Sequence, residues 1–179
     1  MTTGLREQKK ERTRGDIIAA AWHLFRKKGY DATTIDEIAA RAQIARRTFF
    51  RYFPTKEAVV FHDAPARLEL FRSLLAEGGH GFEAVSAACL GIARHYAERR
   101  EEVVEQYLLI ESSPTLVVRE AEIDRDWLAA IEQSLTGSET GDDRRRGRIL
   151  AGAIFGAIRA TLAEWLVDGG QTDLEGLGN

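Results

Sequence analysis

Thr34-Ile35-Asp36-Glu37-Ile38-Ala39-Ala40-Arg41-Ala42-Gln43-Ile44-Ala45-Arg46-Arg47-Thr48-Phe49-Phe50-Arg51-Tyr52-Phe53-Pro54-Thr55-Lys56 is the stretch whose reading decides the fold. Thr34 can cap a short helix while Glu37, three residues on, reaches back to the cap's own N–H, which is a capping box. Ile35, Ile38 and Ala39 then share one face, and small Ala39 lets another helix cross closely. Phe49 and Phe53, four apart, mark a second short helix that must stop at Pro54, whose ring and missing N–H forbid continuation. Ile44 plugs the space between the two. Two short helices joined by a tight turn make a helix-turn-helix.

The outward face of the second helix indicates its use. With Phe49 and Phe53 turned inward, Arg46, Arg47, Thr48, Phe50, Arg51 and Tyr52 are left outside or at the sides. Arginine fits the O6/N7 edge of guanine bidentately and also grips phosphates, while threonine and aromatic side chains touch thymine methyls. A merely solvated basic face would favour Lys and Glu pairs over Arg and an exposed Phe. The surface reads as one that docks on duplex DNA.

Residues 13–60 resemble the N-terminal domain of the TetR/AcrR transcriptional repressors. The resemblance rests on Gly29-Tyr30, Thr33-Thr34, Ile38-Ala39, Ala42, Thr48-Phe49-Phe50 and Tyr52-Phe53-Pro54-Thr55-Lys56-Glu57. It covers about a quarter of the chain and departs from the family pattern at Gln43, often Gly, at Ala45, often the Ser cap, and at Arg47, often Gly. The first two departures predict a strained and poorly capped turn; the third adds a cation. Thr33 and Thr34, at a helix N-terminus, and Thr55 with Lys56 after Pro54 are placed to cap, and the resemblance implies that Thr33, Thr34 and Lys56 also meet DNA phosphates.

Charge divides the chain in the same way. The net charge of −3 conceals 13 Lys and Arg against 6 Asp and Glu in residues 1–56, and 12 against 22 in residues 57–179. Such asymmetry assigns nucleic acid to one end and something else to the other. The reading is a basic arm and DNA-binding unit over 1–56 and a helical ligand-binding and dimerisation unit over 57–179. No run approaches the roughly 18 consecutive apolar residues of a membrane helix, Met1-Thr2-Thr3-Gly4 opens no secretory signal, and the one cysteine, Cys89, fits a reducing cytoplasm.

Before the motif, residues 1–12 with Arg6, Lys9, Lys10 and Arg12 read as a mobile basic arm, and Thr13 with Asp16 as the cap of a helix ending at Gly29. Beyond it, Asp63-Ala64-Pro65 kinks or breaks the link helix. Helical periodicity then runs through Leu68–Leu75, Phe82–Tyr96, Val103–Leu108, Pro114–Leu135 and about Asp143–Val167, with a Gly, Ser and acid loop at 136–143. No strand alternation is present, so the class is all-α: a three-helix DNA-binding domain followed by a helical bundle.

The last helix is apolar on nearly every side and carries Gly152 and Gly156 four apart. Glycine inside a helix costs about 1 kcal/mol relative to alanine, which close approach of a second helix offsets. Gly152, Gly156 and Trp165 are therefore read as a two-fold homodimer interface, together with the Pro114–Leu135 helix, as the resemblance also implies. A dimer sets two reading helices one duplex turn apart and requires an inverted-repeat operator. The resemblance further implies a cavity for a small inducer; Phe71, Phe82, Cys89, Tyr96, Tyr107, Trp127, Phe155 and Trp165 are candidates for its wall, with Arg94, His95 and Arg159 as polar anchors. Arg159 needs a counter-charge, either Glu111 from another helix or the acidic group of an apolar or aromatic ligand.

Catalysis finds no footing. His23, His62, His80 and His95 lack metal-ligand spacing, Cys89 lacks cationic neighbours in sequence, and Gly78-Gly79-His80-Gly81 lacks the Lys-Ser/Thr of a phosphate loop, so no metal or cofactor is expected. The rival is a helical adaptor that binds protein or coats DNA without sequence preference.

Overall fold

The structure, a computed structural model, describes residues 2–136 and 141–177. Among the described residues there are ten helices and no strand: α1 (Thr2–Lys28), α2 (Ile35–Arg41), α3 (Arg46–Tyr52), α4 (Glu57–Val60), α5 (Ala64–Gly78), α6 (Phe82–Glu98), α7 (Arg100–Glu111), α8 (Pro114–Thr136), α9 (Asp142–Val167) and α10 (Leu174–Leu177). The all-α class holds, and the expected helices are present. The loop expected at 136–143 falls in large part on residues 137–140, outside the described residues.

The chain forms two compact units, Met1–His62 with Leu109–Val117, and Asp63–Leu108 with Val118–Asn179. The division expected after Lys56 lies inside the first unit, because Val59, Val60 and Phe61 are buried in it. Leu109–Val117 joins that unit through buried Ile110 and Leu116 and through Ser113, whose hydroxyl donates to Asp31 at 2.8 Å.

In the first unit α1 packs on α2 and α2 on α3, and the three helices bury Ile17, Ala21 and Phe25, Ile38 and Ala39, and Phe49 respectively. The arm and cap expected at residues 1–16 are corrected: α1 begins at Thr2, and Thr13 donates to Lys9 O within the helix. Leu5-Arg6-Glu7-Gln8-Lys9-Lys10-Glu11-Arg12 is a run of strong helix formers with no proline, so propensity continues the helix outward. The capping box at Thr34 is formed as expected: Glu37 N–H donates to Thr34 Oγ1 at 3.3 Å, and Thr34 N–H to Glu37 at 2.9 Å. Lys28 and that backbone N–H hold the Glu37 carboxyl down to about 2.

The turn shows both expected departures. Gln43 has φ +55, in the left-handed region that glycine adopts freely, and Ala45 caps α3 with no side-chain hydrogen bond. Gln43→Gly should therefore raise stability by about 1 kcal/mol, and Ala45→Ser by about 0.5–2 kcal/mol through the restored cap. Urea denaturation of each variant checks both, and an unchanged midpoint for either refutes the corresponding account.

In the second unit the core is Phe71, Leu75, Val85, Ala88, Ile131, Ala151 and Trp165. α5 and α6 cross closely at Gly78, where an added Cβ would lie 2.9 Å from Ala84 Cα, so the site admits no larger residue without backbone movement. The link helix breaks at Phe61–Asp63, and Pro65 opens α5. Asp63 stands at its cap position but makes no cap hydrogen bond; its carboxylate pairs with Arg67 at 3.6 Å and Arg99 at 3.8 Å. Within α9, Arg144–Val167 is long and apolar enough by length and composition to cross a membrane, with a mean hydropathy of 1.5 over its best 18 residues, although Arg159 and Glu164 interrupt it. Only 17% of that window is buried.

Candidate functional site

The second helix of the motif presents its side chains much as the sequence implied. Phe49 is fully buried and Phe53 nearly so, which turns Arg46, Arg47, Phe50 and Arg51 to solvent with Thr48 and Tyr52 at the edges. Arg46 lies over the Phe50 ring at 5.5 Å and Arg51 over Tyr52 at 5.3 Å, so the aromatic faces hold the guanidiniums extended along the surface. Arg46 also pairs with Asp36 of α2 at 2.5 Å, an exposed bridge easily exchanged for a phosphate. Arg47 makes no hydrogen bond or ion pair among the described residues, so its donors are free for a base edge.

Three candidates have structural duties instead. Lys56 Nζ donates to Tyr30 O and Thr33 O, both at 2.8 Å, and sits 3.9 Å from the Tyr30 ring centroid; burial lowers its pKa. Tyr30 is buried and donates to Glu57 at 2.7 Å, which together with burial raises its pKa. Thr33 is buried and its hydroxyl donates to Gly29 O. Thr34 is exposed, but its hydroxyl is engaged in the capping box. The Gly-Tyr and Thr-Lys-Glu parts of the motif thus clamp the α1–α2 turn to the segment after Pro54. Sequence reading missed Arg14, whose guanidinium donates to His62 O at 2.8 Å and covers Phe53 at 5.5 Å. Spacing along α1 gives no signal for that contact.

The second unit holds a cavity of about 340 Å³ between α6 and α9. Phe82, Leu90, Ile92, Ile154, Ile158 and Leu162 make its apolar wall, Ser86, Cys89, Tyr96 and Thr161 bring polar atoms, and Leu174 of α10 closes one side. Of the eight residues expected in its wall, Phe82, Cys89 and Tyr96 line it, and none of the three expected anchors does. Phe71 is buried in the core and stacks on Trp127 with ring centroids 4.9 Å apart, and Tyr107 and Phe155 pack against the same core. Arg159 pairs with Glu120 at 3.1 Å and Asp124 at 3.4 Å, not with Glu111. Burial opposes its charge, but the two carboxylates outweigh burial and raise its pKa, while burial raises that of Asp124. Trp165, expected at a subunit interface, is 1% exposed and donates its indole N–H to Thr172 O at 2.9 Å, so its ring belongs to its own core.

Gly152 and Gly156 do lie open, since an added Cβ at either meets nothing within 4 Å. Among the described residues no group of three or more His, Cys, Asp or Glu could hold a metal.

Residues 17–62 match the model of bacterial regulatory proteins of the tetR family. The chain is 33% identical to the HTH-type transcriptional regulator TcmR of Streptomyces glaucescens, over 97% of this chain and 81% of TcmR. Its fold is similar to that of Thermus thermophilus FadR, a transcriptional repressor solved in complex with lauroyl-CoA, at 27% identity and TM-score 0.52 over 92% of this chain and 89% of that one. It is also similar in fold to SmeT in the SmeT–triclosan complex, at 20% identity and TM-score 0.67 over 93% and 86%. With a helix-turn-helix whose Phe49, Phe53 and Thr34 stand where the motif needs them, the chain belongs to the tetR family of bacterial regulatory proteins and is a DNA-binding transcriptional regulator, not an enzyme.

Proposed function

We propose that the protein is a homodimeric repressor that binds an inverted-repeat operator and is released from it by a small, mainly apolar or aromatic molecule. The uncovered face of α9 carries this reading. Ile149, Gly152, Ala153, Gly156, Ala160, Ala163 and Val167 are exposed on one side of the helix, and nothing in the chain offsets the two glycines. The two-fold mate of α9 fits there, with small residues allowing close backbone approach and exposed Val118 of α8 extending the surface. An apolar surface of this kind in a DNA-binding family is a subunit face in preference to a lipid face.

In this reading the first unit reads DNA and the second binds ligand and partner. Two α3 helices enter major grooves about 34–36 Å apart. Arg47 and Arg51 read bases, Thr48, Phe50 and Tyr52 supply apolar and hydroxyl contacts, and Arg46, released from Asp36, takes a phosphate. Thr33, Thr34 and Lys56 support the fold of that surface, with phosphates left to their helix N-termini, and the exposed Arg6, Lys9 and Lys10 of α1 add salt-dependent affinity. The ligand reading is supported by the α6–α9 cavity and by the lauroyl-CoA and triclosan bound to the two related structures.

Competition gel shifts test the operator reading. An inverted repeat selected from random duplexes should be preferred over bulk DNA by at least about 10³; equal affinity would favour a coating protein. Arg47→Ala and Arg51→Ala should each cost about 1–3 kcal/mol on that repeat with a smaller loss on random DNA. Equal losses on both would reduce the two arginines to backbone contacts.

A further inference from the structure

Four acids lie between Gly29 and His62 in the DNA-reading unit: Asp31, Asp36, Glu37 and Glu57. Three are committed to the fold of that unit. Asp31 accepts from the Ser113 hydroxyl at 2.8 Å, Glu37 closes the capping box and holds Lys28, and Glu57 accepts from the Tyr30 hydroxyl at 2.7 Å. Asp36 is different. Its carboxylate, 64% exposed, meets Arg46 at 2.5 Å and no other residue among the described ones. Arg46 opens α3, and residues at the start of a reading helix are those that contact base edges. The carboxylate therefore stands beside the part of the head that enters the groove.

A carboxylate there is out of place by charge alone. When Arg46 turns to a phosphate, Asp36 is left without its cation among like charges. Most base edges repel it as well. In the major groove guanine offers the N7 and O6 acceptors, thymine the O4 acceptor beside a methyl, and adenine an amine beside its N7 acceptor; cytosine alone presents an amine with no acceptor next to it. An acid desolvated without a donor is costly, so it selects by exclusion: one base edge satisfies it and the other three do not. Helix stability does not account for Asp36, because Glu37, one residue on, already places an acid in the first turn of α2.

We propose that Asp36 is a base-reading residue: released by Arg46 on docking, its carboxylate accepts from the N4 amine of a cytosine, one in each half of the operator. The inference rests on the reading of the chain as an operator-binding regulator and adds a required base to it. Arg46 and Asp36 act as an exchanging pair. In the free head each neutralises the other; on DNA the cation takes a phosphate and the acid takes an amine.

Selection of bound sequences from random duplexes, run on the full natural chain and on its variants, tests it. The natural chain should return a cytosine in each half-site whose exchange for thymine weakens binding about tenfold. Asp36→Ala should reduce that discrimination to less than about twofold, and Asp36→Asn, which offers adenine an amide of the same size, should move the preference at that position to adenine. Arg46→Ala should weaken specific and random duplexes alike and keep the cytosine. A cytosine on one strand places a guanine on the other, so 7-deazaguanine opposite it, which lacks the N7 an arginine grips, should bind as well as guanine. The analogue is tested on the natural chain, so its answer does not depend on the variants folding. Loss of binding to that analogue, or of the cytosine preference in Arg46→Ala, would assign the base pair to an arginine and overturn the proposal. Asp36 variants that bind every duplex more tightly with the preferred bases unchanged would overturn it too, since Asp36 would then only compete for Arg46. A selection that returns no preferred bases overturns the operator reading as well, whereas failure of Asp36 alone leaves a preferred repeat standing.

Discussion

Phe49→Ala should cost about 3–5 kcal/mol of unfolding free energy, the range for removing a large aromatic side chain from a packed interior. Phe49 is fully buried, with Phe50 edge-on at 5.6 Å and Phe53 at 6.0 Å, so no flexible neighbour stands ready to fill the hole. The unit it anchors has roughly seventy residues, and at about 0.05–0.15 kcal/mol per residue its total stability is of the same order as the loss. The expected outcome is a first unit largely unfolded at 25 °C while the second keeps its own transition. Urea denaturation followed by tryptophan fluorescence and far-UV circular dichroism reads both, because Trp22 lies in one unit and Trp127 and Trp165 in the other. A single transition shifted by less than about 1 kcal/mol would mean that Phe49 is not the keystone of the motif.

The double variant Gly152→Leu with Gly156→Leu should dissociate the dimer and leave the chain folded. Neither Cβ meets an atom of the same chain, and leucine is a better helix former than glycine by nearly 1 kcal/mol per site, so α9 itself gains. The same side chains hold a facing helix away from the backbone. Sedimentation at micromolar concentration should show a 20 kDa species for the variant and twice that mass for the natural chain. Affinity for an inverted repeat should fall by at least about 10³ as two half-sites cease to act together. A natural chain that sediments as a monomer, or a variant that remains a dimer, removes α9 from the interface.

What could be read from sequence was local. The capping box needs only Thr34 and Glu37, three residues apart, and the stop of α3 needs only Pro54. The awkward turn at Gln43 and Ala45 was visible because each residue's backbone and capping preferences belong to itself. Long-range partnerships were not visible. Lys56 looked like a phosphate ligand because its charge is evident in sequence, whereas the carbonyls of Tyr30 and Thr33 that occupy it lie more than twenty residues away. Arg159 was rightly expected to need an acid, but Glu111 of α7 and Glu120 of α8 are equivalent until it is known which of the two helices lies beside Arg159. Aromatic content pointed to a cavity and placed its wall only in part: Phe82 and Tyr96 line it, but Phe71 and Trp127 stack on each other, and Leu90, Thr161 and Leu174, unremarkable in composition, complete the lining. The outward run of α1 was missed because a cap residue at Thr13 was given more weight than eight good helix formers before it.

The hydrogen bond from Ser113 to Asp31, with Ile110 and Leu116 buried beside it, means that the DNA-reading part is not one continuous stretch of polypeptide. Exchanging specificity between such regulators by splicing at residue 62 would transplant an incomplete hydrophobic interior. A working chimera has to carry the nine residues from Leu109 to Val117 along with the head they complete.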